Sequence, residues 1–410
     1  MRISTNQIFQ RGLNSVLLEQ AKTLKLQQQL SSQKKIESPS DDPIIAIQAD
    51  LLKQSINFTN TMQQNAQTAQ ASLSFEENIL ANCVTVLQRI RELQVQAANN
   101  SLSPSDRHAI AIEAQSLLNQ LQDLGNSQDS DGYYIFSGSQ STTQPITIDA
   151  SGNYVYNGDE TQRFQLIRNG VQIPLNDNGS AIFMAIPSGN GSFTVSQPSA
   201  NSGNAYASTG SVVDATAYIP DNYTLQFVLN SQNQLVVMVS GLNSGAVLPP
   251  DGNPDSAPLY QDGGAIDFNG IELTVTGVPQ PGDSFAIKPS QKQSVFATIA
   301  AMVANLNSPY ATAANKAATQ TVNNQIMQEI DAALNNILTF EGQAGARLNQ
   351  LDIANQINTD IIAVSQETLI GVEDVNLAEV AVKLNLEMVY LQAAQQSFTR
   401  IQGLTVFNYI

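Results

Sequence analysis

Cys83 and His108 are the single cysteine and the single histidine of this 410-residue chain. A thiol–imidazole nucleophile needs both side chains in one place, and a zinc site needs three or four such ligands. One of each supports neither. Cys83 reads as a small buried apolar residue, and His108, in a polar stretch after a proline, as a solvated helix position. Asp129-Ser130-Asp131-Gly132 resembles part of a calcium loop, but the twelfth position, where a bidentate acid belongs, is Gly138. It reads as a turn. The adjacent carboxylates Asp41 and Asp42 have no His or Lys paired with them and suit helix capping. Arg89, Arg91 and Arg107 are a conceivable phosphate group. At i, i+2 spacing the first two diverge on a helix, which favours solvated or ion-paired arginines. No GxxxxGK[ST] loop or GxSxG elbow occurs. No catalytic residue, cofactor site or metal site is expected, and the chain is expected not to be an enzyme.

Bulk properties narrow the class further. Lys and Arg number 18 against 35 Asp and Glu, a formal charge of −17. Such a chain is a poor partner for phosphate backbones or anionic lipid, so no nucleic acid and no membrane are expected. Hydrophobic residues make up 42%, enough for real cores, and the length predicts two or three domains. The start, MRISTNQIFQ, lacks a charged segment followed by an apolar core, so a cleaved secretory signal is not expected. Proteins exported by dedicated machines carry no such signal either.

Elements capable of positioning anything are set by where helix breakers fall. Residues 138–292 hold 17 of the 24 glycines and 12 of the 16 prolines. The chain therefore divides into helix, turn-rich insert and helix. In the first flank, Phe9, Leu13, Val16, Leu17 and Leu24 make a stripe at helical spacing. Ser38–Pro43 interrupts it. Asp42 suits an N-cap and Pro43 the first helical position, opening a helix to about Ala98. Ser103 and Pro104 repeat the start signal, with Asp106 near the positive helix end, for a helix to about Leu124. In the last flank helices are predicted over Ser294–Leu306 and from Ala311 to Val364, then a break near Gly371 and a final helix. In that final helix Leu377, Leu384, Leu391 and Phe398 recur every seven residues. Val380, Ala394 and Ile401 fill the second core position, which Glu387 breaks. This predicts a coiled-coil seam, or failing that one buried stripe of an ordinary bundle.

The insert reads as β: Tyr223-Leu225-Phe227-Leu229 and Ile271-Leu273-Val275 alternate, Leu235–Val239 and Phe285–Ile287 are short strands, and Asn169-Gly170, Asn178-Gly179 and Asn269-Gly270 are hairpin-type turns. The predicted fold is mixed and mainly α: a long antiparallel helical rod with terminal coiled-coil helices and an inserted antiparallel β domain. The expected divisions are 1–42 with 365–410, 43–137 with 293–364, and 138–292. Amphipathic ends with few charges cannot bury their stripe within one thin rod, so they should pack against neighbouring subunits. Leu13, Leu17, Leu377, Val380, Leu384, Leu391, Phe398 and Ile401 are the candidate assembly residues.

The helical ends resemble the flagellin family. The carrying segments are MRISTNQIFQRGLNSV, SSQKKIESPSDDPIIAIQA, LQRIRELQVQAANNSLSPSDRHAIAIEAQSLLNQL and the tail VEDVNLAEVAVKLNLEMVYLQAAQQSFTRIQGLTVFNYI. NSQDSDGYYIFSGSQSTTQP and the ending Leu404–Ile410 are closer to the family's hook–filament junction members than to flagellin. The resemblance implies terminal helices that form the inner coiled coil of a tubular assembly, and a β insert facing outward. It implies a ring of self-associating subunits joining the first hook-associated protein to flagellin. It further implies export to the extracellular flagellum through a type III apparatus, with a FlgN-type chaperone holding the C-terminal helices. The insert is larger than in compact members. Competing readings are flagellin itself, a secreted adhesin using the insert, and an enzyme housed in the insert.

Overall fold

The computed structural model describes residues 5–403. Its six helices are α1 (Thr5–Ser32), α2 (Pro43–Ala97), α3 (Pro104–Gly125), α4 (Val295–Leu306), α5 (Ala313–Glu373) and α6 (Leu377–Gly403). Local chemistry sets their ends. The Asp42 carboxylate accepts the backbone N–H groups of Ile44 and Ile45 at 3.1 and 3.2 Å, with Pro43 next in line. Ser103 and Asp106 form a reciprocal capping box, with Pro104 opening α3. Ser294 Oγ accepts from Ala297 N at 3.0 Å and caps α4.

Two expectations about the last flank are corrected. The helix expected to end at Val364 continues to Glu373, through Gly371, and the break lies at Asp374–Asn376. Gly costs a helix about 1 kcal/mol, which a 61-residue helix absorbs. The chain turns where Asn376 Oδ1 can accept from Ala378 N and Glu379 N and so cap α6.

The chain forms two compact units. The first takes in α1, α6, α2 as far as Ala66, α5 from Asp352, and residues Leu166–Val171. Within it, Asn65 and Asn358 donate their side-chain amides to the Leu166 and Ile167 carbonyls at 3.0 and 2.9 Å. The links before α2 and α6 pair briefly: Lys35 N donates to Glu373 O and Val375 N to Gln33 O. Lys34 and Lys53 converge on one Glu373 oxygen at 3.2 and 2.6 Å.

The second unit spans Gln67–Gln165 and Gln172–Leu351 and holds two apolar cores. The first core is helical. Leu80, Leu87 and Ile90 of α2 meet Leu118 and Leu121 of α3, Phe296 and Ile299 of α4, and Ile330 and Ile337 of α5. Part of the insert belongs here, because Ile146, Ile182 and Phe183 are buried in the same cluster. Asn178-Gly179 is accordingly not a hairpin. Gly179 has φ −66° and leads into a single π-helical turn, Ser180–Met184. Asn178 Oδ1 caps that turn by accepting from Ala181 N at 2.8 Å.

The second core is all β. A five-stranded antiparallel sheet runs Gly245–Leu248, Leu235–Gly241, Tyr223–Leu229, Ser284–Pro289, Phe193–Ser196. A smaller sheet pairs Ile271–Thr276 with Ala265–Phe268, Tyr206–Ala207 and Ser211–Val212. Tyr223, Leu225 and Phe227 point inward between exposed Thr224 and Gln226, as strand alternation requires. Leu229 breaks the alternation and faces out where the strand ends. Asn269 and Gly270 both have positive φ, 45° and 76°, and close the two-residue hairpin between Phe268 and Ile271.

A buried polar cluster ties three segments of this unit together. Arg347 of α5 grips Asp177 in two bonds of 2.8 and 2.9 Å, and Asp177 N donates to Glu76 of α2 at 2.9 Å. Burial first, and the Asp177 charge second, push the Glu76 carboxyl up to about 8. The folded chain therefore keeps a proton that the unfolded chain releases near its ordinary value of about 4.3. Stability from this group is complete below the unfolded value and declines as pH rises toward about 8, in total by a few kcal/mol. Glu76→Gln accepts the same bond and cannot ionise. Urea unfolding at about pH 5 and about pH 8 should show the parent losing midpoint with rising pH and the variant holding it. Equal slopes would contradict the assignment.

Candidate assembly surface

Side chains that invited chemical readings lie in structural roles. Cys83 is buried, and burial pushes its thiol up to about 12. His108 Nδ1 meets Asn307 Oδ1 at 2.9 Å. Asp129 accepts from Asp131 N and Tyr133 N, closing a turn. The arginines do not converge: Arg89 pairs with Glu92 and Glu113, and Arg91 with Asp331. Arg107 is buried, donating to Asn305 O at 2.6 Å and lying 4.1 Å from the Tyr310 ring centre. Asp41 accepts from Lys25 at 2.8 Å, and that bond with those from Ser38 and Glu37 holds it at about 2. Among the described residues, no group of three His, Cys, Asp or Glu is placed to hold a metal ion. No described helix is long and apolar enough to cross a membrane.

The chain's two ends meet in the first unit, where α1 packs along α6. On α6 a row of half-buried or buried positions runs Val380, Leu384, Glu387, Leu391, Ala394 and Phe398, with Ala381 beside it. On α1 the matching row is Gly12, Val16, Glu19, Thr23, Leu26 and Leu30, with Gln29 beside it. Both sets step by alternate threes and fours, the spacing of a coiled-coil seam. Phe398 closes one end. Its ring centre is 5.1 Å from that of Phe9, and a Cβ on Gly12 would come within 2.8 Å of the Phe398 ring, so glycine makes room for it.

This geometry divides the candidate residues. Val380, Leu384, Leu391 and Phe398 line the seam within the chain. Leu13 and Leu17, 38% and 52% exposed, turn away from it, as does Leu377 at the start of α6. The stripe read on α1 is thus corrected: only Val16 of its leucines and valine is on the seam side, and Leu13, Leu17 and Leu24 form a second, exposed face. One residue is about 100° on a helix, so Leu13 and Leu17 sit beside Gly12 and Val16, not over them. The side chain of Ile401 and the ending Leu404–Ile410 lie outside the described residues. The heptad reading missed Leu18 on α1 and Val382, Leu386 and Val389 on α6, all exposed. Their signal was available: they are apolar residues off the seam, where a solvated helix carries polar ones.

Paired terminal helices with an exposed second apolar face, flanking a β insert in the sequence, define a flagellin-type chain. Residues 3–141 match the family model for the bacterial flagellin N-terminal helical region. The crystal structure of flagellar hook associated protein-3 from Legionella pneumophila is 52% identical, covering 78% of this chain and 97% of that one, with a TM-score of 0.77. FlgL from Xanthomonas campestris is 32% identical, covering 77% and 99%, with a TM-score of 0.70. Flagellar hook-associated protein 3 of Escherichia coli K12 aligns over 410 residues at 25% identity, 100% of this chain and 99% of its own length. The chain belongs to the flagellar hook-associated protein 3 (FlgL) family, and its relatives are structural components of the bacterial flagellum.

Proposed function

We propose that this chain is the adaptor at the hook–filament junction. It self-assembles into a ring through its terminal helices and joins the first hook-associated protein to flagellin. The observation that carries the reading is the set of exposed apolar side chains on the paired ends, Leu13, Leu17 and Leu24 on α1 and Val382, Leu386 and Val389 on α6. Exposed apolar residues in such a run mark a surface made to be covered. A second subunit of the same kind covers it in a ring, and flagellin-type neighbours above and below extend the packing.

In this reading residues 1–42 and 365–410 are the assembly domain, 43–137 and 293–364 support it, and 138–292 faces outward. The chain is exported to the extracellular flagellum. A FlgN-type chaperone covers the α6 face beforehand. The links at Ser38–Pro43 and the helical glycines Gly342, Gly345 and Gly371 are the compliant points. A Cβ at Gly342 or Gly371 would meet nothing within 4 Å, so packing does not require glycine there. Immunogold labelling of isolated flagella tests the placement. Gold confined to one point between hook and filament supports the adaptor, whereas gold along the whole filament identifies a filament subunit.

A further inference from the structure

The α1–α6 seam has one anomalous layer. Two of its core positions, Glu19 on α1 and Glu387 on α6, carry carboxyl groups where the pattern elsewhere places small or apolar residues. The two carboxyl groups face each other across the seam. Lys22 holds one Glu19 oxygen at 3.0 Å. The second oxygen of Glu19 and one oxygen of Glu387 are enclosed and meet no donor from the protein. Ionised carboxylates only accept, so two of them facing each other without a donor are unfavourable twice over, by repulsion and by loss of water. One proton resolves both: the protonated carboxyl donates to its ionised neighbour.

The other charges near this layer do not supply a substitute donor. On α1, Lys22 already bonds Glu19, and Lys25 pairs with Asp41 at 2.8 Å. On α6, Lys383 pairs with Glu379 at 2.7 Å. These three lysines and Tyr390 line an open groove of about 340 Å³ along the layer, so the pair communicates with solvent and can exchange its proton.

We propose that Glu19 and Glu387 share one proton, forming a latch that makes the pairing of the chain's two ends depend on pH. The directions of titration agree. Facing Glu19, and then burial, raise the Glu387 carboxyl above its ordinary value. The bond from Glu387, and then Lys22, lower Glu19. A raised acid contributes stability below its unfolded value and loses it as pH rises through the folded value. A lowered acid contributes above its unfolded value and loses it as pH falls. The seam is therefore tightest between the two steps, near the ordinary glutamate value, and loosens as pH rises from there toward the upper one.

Hydrogen exchange on the full chain tests this. Protection over residues 12–26 and 380–394, corrected for intrinsic rates, would be followed from about pH 5 to about pH 8.5. Wild-type protection in both segments should fall with rising pH, by up to about tenfold per unit, between the ordinary glutamate value and the upper step, and level off beyond it. Glu387→Gln supplies a permanent amide donor to Glu19 and should remain protected with no such fall. Glu19→Gln, the reciprocal amide, should behave likewise. A wild-type profile flat over the whole range overturns the latch. So does a glutamine variant that repeats the wild-type pH profile, or the loosening of both glutamine variants at every pH.

Discussion

Replacing Leu13 and Leu17 together by Asp leaves the chain folded and removes it from the flagellum. Both side chains are exposed, so the change costs the isolated chain no more than about 0.5 kcal/mol at each site. In an assembly that covers the same face, each carboxylate must leave water for an apolar contact, which costs several kcal/mol without a partner. The chain's charge of −17 makes an acidic substitution harder still to accommodate between copies. The double variant should match the parent in thermal midpoint yet fail to restore swimming to a strain lacking the gene. Leu384→Asp with Leu391→Asp makes the contrast. Those residues line the seam within one chain, so that pair should loosen α1 and α6 before any assembly is attempted. Normal swimming by the Leu13/Leu17 variant would mean that the outer face is not packed.

The largest effect on stability is expected from Arg347→Ala. Its guanidinium meets both oxygens of Asp177, whose side chain is 1% exposed. Removing the arginine strands a buried carboxylate beside Glu76, with the Gln162 amide at 2.8 Å as its remaining side-chain donor. The expected loss is about 3–5 kcal/mol. It should appear as a lowered urea midpoint for the second unit. Adding Asp177→Asn to Arg347→Ala should recover much of it, because the stranded charge is then gone. A single variant within about 1 kcal/mol of the parent would show that the pair contributes little.

What could be read in the residues, and what could not, follows from how far each interaction reaches along the chain. Asp42-Pro43 and Ser103-Pro104 announced helices because a cap and its N–H groups are two or three residues apart. Asn269-Gly270 announced a hairpin for the same reason. Asn178-Gly179 has the same dipeptide, yet Ile182 and Phe183 must reach the helical core, and that demand overrode the local turn preference. Leu13 and Leu17 were legible as apolar helix positions. Which of two adjacent faces of α1 pairs with α6 was not, because the partner helix begins 345 residues after α1 ends, at Leu377 against Ser32. The Glu76–Asp177–Arg347 cluster left no trace in the pattern, since its members are separated by 101 and 170 residues.

The most direct test of the junction assignment is deletion of the gene in the bacterium that carries it, followed by electron microscopy of the cells and a flagellin blot of the medium. The adaptor reading predicts bare hooks, with flagellin shed as monomer into the medium. Intact filaments on the deletion strain would contradict it.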